Sequence, residues 1–128
     1  MGQQQLLLIV LGVIIVGIAV VVGISVFTAS GSAANRDAVI SDLTNLTSMA
    51  QQYYRKPTAL GGGNRTFTGW SLPSSLDTTG NGVYAATIAA QSVTLTGTGN
   101  ETGNNGTSAV KVTMILGPDA ITSTTINN

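Results

Sequence analysis

Side chains that could do chemistry are scarce in this chain of 128 residues. It holds five carboxylates, no histidine and no cysteine. Without histidine it lacks the usual general base and the commonest transition-metal ligand. Without cysteine it has neither a thiolate site nor a disulfide framework. Asp37 and Asp42 stand five apart on a predicted helix, a spacing that does not bring two carboxylates face to face. Asp77 and Asp119 sit in turn contexts, where Asp is favoured for backbone reasons. Glu101 lies in a polar loop. The glycines at 61–63 and in Gly80-Asn81-Gly82 lack the strand, loop and helix context of a nucleotide site. We therefore expect no catalysis, no cofactor and no metal. Five basic residues balance the five acids, so no cationic face is offered to nucleic acid. The aromatics Phe27, Tyr53, Tyr54, Phe67, Trp70 and Tyr84 are few and read as packing groups rather than as a path for electrons.

The one chemical signal left is modification. Four sequons occur: Asn45-Leu46-Thr47, Asn64-Arg65-Thr66, Asn100-Glu101-Thr102 and Asn105-Gly106-Thr107. Nine Asn and 29 Ser or Thr would give about two by composition, so four is a mild excess. Asn64, Asn100 and Asn105 fall in stretches that read as Gly-rich polar loops, where a sugar costs no packing. Asn45 falls on a helix and is the weakest candidate. Low charge with abundant Thr, Ser, Asn and Gly suits an exported or cell-surface protein.

The element that must position everything else is the apolar run 6–24. It holds no charge and no strongly polar side chain. As a helix it is about 28 Å long, near the ~30 Å hydrocarbon core of a bilayer. It is apolar all round, so lipid or copies of itself must surround it. A signal peptide would carry a basic n-region and a shorter apolar run, whereas MGQQQ has no Lys or Arg. Myristoylation at Gly2 wants Ser or Thr where Leu6 stands. A single-pass anchor is the plain reading. Gly12, Gly17 and Gly23 interrupt the run, with Ala19 between them; Gly12, Ala19 and Gly23 share a helix face, a pattern compatible with close self-packing.

Residues 33–54 turn amphipathic. Val39, Leu43, Leu46, Ala50 and Tyr53 recur at spacings of three and four, while Asn35, Arg36, Asp42, Thr47 and Gln51 fall largely outside that stripe. Arg55-Lys56 then suits a helix C-terminus and Pro57 ends it. The rest divides into a Gly-rich connection and a sheet. Phe67 and Trp70 are read as anchors for the connecting loop. Strand patterns cover 83–90 and 93–96, either as one bent strand or as two, then 109–116 and 121–126, with 98–107 as a polar loop. The class is α+β: one apolar-then-amphipathic helix on three or four antiparallel strands. Four segments follow: 1–32, an apolar membrane or filament-core half-helix; 33–57, the amphipathic half; 58–82, the connecting loop; and 83–128, the sheet of a head.

This order of parts resembles a type IV pilin. The amphipathic phrase NRDAVISDLTNLTSMAQQYYRKP looks like the second half of such a helix. The resemblance implies a filament subunit: apolar half-helices packed in a central bundle, heads outside, a membrane-inserted precursor, and partners comprising other copies of the chain and a pilus assembly machinery. Adhesion or motility would be its use; a membrane-anchored pseudopilin of a secretion system is the alternative. Family leaders end in Gly, which points to Gly2 and Gln3 as the candidate processing point. The chain departs from the family in having no basic leader and no Cys pair. It also has no acid at the fifth mature residue, where Gln5 or Leu7 stands depending on the terminus chosen.

Overall fold

The computed structural model describes residues 2–128 of the chain. It divides into two compact units: a stem, residues 2–31, and a head, Ser32–Asn128. A single helix α1 runs over Gly2–Arg55, and its part from Ser32 onward belongs to the head. The chain has no proline before Pro57, so no ring interrupts the helical hydrogen bonds.

In the head, α1 lays Val39, Leu43, Leu46 and Ala50 on the sheet, all buried, as the three-and-four spacing requires. Tyr53 continues the stripe half-buried. Thr47, expected off the stripe, is buried instead. Its hydroxyl donates to the Leu43 carbonyl at 2.9 Å and approaches Met114 Sδ at 3.3 Å. A hydroxyl bonded back to its own helix can enter a core without an outside partner.

The sheet has five strands rather than three or four: β1 (Thr78–Thr79), β2 (Gly82–Ile88), β3 (Val93–Thr102), β4 (Ala109–Leu116) and β5 (Ile121–Ile126). They form an antiparallel meander in chain order. The extra strand is the two-residue β1, paired with the start of β2 inside the expected connecting loop. The 83–96 region resolves into two strands joined by a tight turn, in which Ala89 N–H donates to the Ser92 carbonyl. β3 also extends through Thr102, into the stretch expected to be a polar loop, and makes an irregular register shift against β4 between Thr98 and Thr102.

Alternation sets the faces. Tyr84, Val93, Leu95, Val110, Val112, Met114 and Leu116 point to α1 and are buried, while Val83, Lys111 and the threonines of β5 are exposed. Each fully buried Val, Leu or Phe contributes about 1.5–3 kcal/mol. The 58–82 segment closes the open end of this core. Phe67 and Trp70 are both buried, and Phe67 stacks at 4.8 Å on Tyr54.

The glycine run 61–63 has a fixed job where a flexible connection was expected. Helix α1 ends with free carbonyls, and the following loop turns back to satisfy them. Gly63 N–H donates to Tyr53, Asn64 N–H to Lys56 and Arg65 N–H to Tyr54, at 2.7–2.9 Å. A Cβ at Gly62 would run into Lys56, and one at Gly63 into Thr66 and the Tyr53 ring. Asn64 and Arg65 both take positive φ, 51° and 67°, to complete the reversal.

Candidate assembly surfaces

The stem offers the largest unsatisfied surface. Among the large apolar side chains from Leu6 to Phe27, exposure runs from 52% at Leu11 to 80% at Phe27. The stem is one helix long and apolar enough to cross a membrane. Its glycines contrast with those of the head. A Cβ built on Gly12, Gly17 or Gly23 meets nothing within 4 Å. A Cβ on Gly97 would meet Val39 Cγ1 at 2.6 Å and the Tyr84 ring at 3.0 Å, and one on Gly99 would strike Asn35. Gly62, Gly63, Gly97 and Gly99 of the head are explained by contacts inside the chain, and Gly12, Gly17 and Gly23 of the stem are not. Gly12, Ala19 and Gly23 lie within about 40° of one another around the helix, so they form one shallow notch between larger side chains.

Gly2 and Gln3 open the helix and are exposed. Met1, which precedes this candidate processing point, lies outside the described residues. No ionisable side chain occurs between Gly2 and Asn35, so side chains bring no charge to an association of stems.

All four sequon asparagines are exposed. Asn64 stands in the capping loop. Asn105 sits in the β3–β4 turn, where its Oδ1 accepts N–H bonds from Thr107 and Ser108, each at 2.9 Å. Asn100 is not in a loop: it belongs to β3, and its Nδ2 donates to the Gly80 carbonyl at 2.8 Å. That nitrogen is the one a sugar would need. Asn45 is exposed on α1, but Thr47 of its sequon is buried.

A polar clamp holds the α1 face of the head to the β1–β2 turn. Asp42 Oδ2 accepts from Thr79 Oγ1 at 3.0 Å, Asn81 Nδ2 at 3.0 Å and Tyr84 Oη at 2.5 Å. Two helical turns earlier, Asn35 Nδ2 donates to the Asn81 carbonyl, and its Oδ1 accepts from the N–H groups of Asn100 and Glu101. Burial pushes the Asp42 carboxyl up, but the hydrogen bonds from Tyr84, Asn81 and Thr79 outweigh it and hold the group below its ordinary 3.8. Burial, reinforced by the bond to Asp42, pushes the Tyr84 phenol up to about 12. Both residues were set aside in the sequence, one as solvated and one as packing. The seven-residue spacing of Asp42 from Asn35 on one helix face was the available signal; nothing local pointed to Tyr84.

At the other end of the head, Arg55 and Arg65 wall a cleft of about 400 Å³ with Tyr54, Pro118 and Asp119. Arg55 and Asp119 approach to 3.7 Å, both well exposed. Among the described residues, no group of three carboxylates gathers to hold a metal. No protein-family model, curated protein or solved structure matches this chain.

Proposed function

We propose that this chain is the structural subunit of an extracellular, type IV pilus-like helical filament. It inserts in the membrane through its stem before assembly. In the filament the apolar stems pack in a central bundle and the heads face outward, serving adhesion or motility. It performs no catalysis. The observation that carries this reading is the stem itself: all-round exposed apolar side chains, with a Gly12–Ala19–Gly23 notch that nothing inside the chain explains. Small residues of this kind let uncharged helices approach closely. The order of parts supports it further, since an apolar-then-amphipathic helix on an antiparallel sheet is compatible with a pilin-like fold.

The same surfaces fit a membrane-anchored pseudopilin, a reading favoured by a stem long enough to cross a bilayer. Abundance separates the two. Fibres sheared from cells that carry this chain, identified by mass spectrometry with the N-terminal residue read directly, should contain it as their principal component. A chain that stays in the membrane fraction as a minor species would favour the anchored form.

A further inference from the structure

The net charge of zero hides a separation along the head. Arg36 and Arg55 mark two levels of α1, nineteen residues apart, or about 28 Å. At the Arg55 level stand Arg55, Lys56 and Arg65, all exposed, against the single carboxylate Asp119. Arg65 is held there because its N–H donates to the Tyr54 carbonyl, and Asp119 lies 3.7 Å from Arg55. At the Asn35–Asp42 level stand four carboxylates. Asp37 and Asp42 are on the helix, Glu101 is held by its N–H bond to Asn35, and Asp77 is placed beside the clamp by its backbone carbonyl, which accepts from Tyr84 N–H. Two cations oppose them, Arg36 and Lys111. Arg36 is turned to Asn104, and Lys111 is on the strand partner of Thr98. One end of the head is therefore cationic and the other anionic.

We infer that the cationic end of one head mates with the anionic end of the next copy, with Arg55, Lys56 and Arg65 receiving Asp37 and Glu101. This rests on the filament reading and names the contact that sets the order of heads. Opposite patches on one molecule make a heterologous contact, which repeats into an open helix rather than closing as a two-fold dimer. The Arg55–Arg65 cleft offers guanidinium groups on a concave wall, which suits an incoming carboxylate. No charged side chain stands before Arg36. Ionic strength therefore acts on side-chain pairs of the heads and not on those of the bundle.

The test measures the critical concentration for fibre formation of the full chain by sedimentation, at about 0.05 M and about 1 M salt. It compares the wild type with three variants: R55E/K56E/R65E, D37K/E101K, and the two sets combined. Thermal melting of each variant checks that the heads are folded. Either reversal alone should raise the critical concentration about tenfold at low salt, and the combination should return it to within about threefold of wild type. High salt should erase the differences. Fibres that form equally well in all four proteins would overturn the charge pairing while leaving the filament reading intact. Single reversals that impair assembly without rescue by the combination would also overturn it. A wild type that forms no fibres at either salt would remove the filament reading, and this inference with it.

Discussion

Replacing Gly12 or Gly23 with leucine separates the demands of a single chain from those of an assembly. Inside the chain neither position resists. A Cβ at each meets nothing within 4 Å, and the neighbouring side chains point into open space. Glycine costs a helix about 1 kcal/mol relative to the best helix formers, so leucine should strengthen the isolated helix. It also makes the stem more apolar, and membrane insertion should be undiminished. In a bundle the sign reverses. Helix axes in contact lie about 8–10 Å apart, and the shorter distances need small residues at the crossing. A leucine in the notch holds neighbours away or forces strained packing, at about 1–3 kcal/mol per contact. At about 1.4 kcal/mol per tenfold change, the critical concentration should rise about five- to hundredfold. Val13→Leu is the control, because Val13 is already large and lies 68% exposed off the notch. It should stay within about threefold of wild type. Sedimentation after detergent removal, with circular dichroism of the dispersed chain, reads both quantities. Gly12→Leu, Gly23→Leu and Val13→Leu assembling alike would refute close contact at this face.

Leu43→Ala should destabilise the head by about 2–5 kcal/mol in denaturant unfolding, since Leu43 is wholly buried between α1 and the sheet. Asp42→Ala should cost about 1–3 kcal/mol at neutral pH, because it strands the buried Tyr84 hydroxyl; Tyr84→Phe on the same background should recover part of that loss. The depressed Asp42 carboxyl stabilises the head above its ordinary 3.8, and that stability falls away as pH drops below it. The raised Tyr84 phenol stabilises below its ordinary 10.0, and its share is lost as pH climbs towards 12; Asp42→Ala should flatten the acid limb of a stability–pH curve. Intact mass of the filament subunit should exceed that of the bare chain, with sugar mapped to Asn64 or Asn105 before Asn100, whose amide nitrogen is engaged; a bare mass would remove glycosylation from the account.

Periodicity made most of the helix and its buried stripe legible, because both follow from local spacing. The strands 109–116 and 121–126 were legible for the same reason, alternation in one and a Thr-rich run between turns in the other. The failures share a cause. TGNETG has the composition of a turn, yet β3 runs through its first residues because β2 pairs with it at Gly99 and Asn35 holds the N–H groups of Asn100 and Glu101. GGG reads as a flexible link until the free carbonyls of α1 are placed beside it. Thr47 reads as solvated until Met114 is placed opposite. In each case a contact distant in sequence decided the outcome, and one local window does not contain it. The stem glycines and the sequons were visible as patterns. The carboxylate clamp and the two charged ends of the head needed the fold to bring their members together.

The central claim is that the stem drives assembly and the head does not. The direct measurement is electron microscopy, with sedimentation, of the purified full chain beside residues 33–128, both after detergent removal. The head carries its own buried core and its own sheet, so it should stay soluble and monomeric. The full chain should form long fibres of uniform width. A full chain that gives only amorphous material or detergent-bound monomers, or a head that polymerises without its stem, would contradict the account.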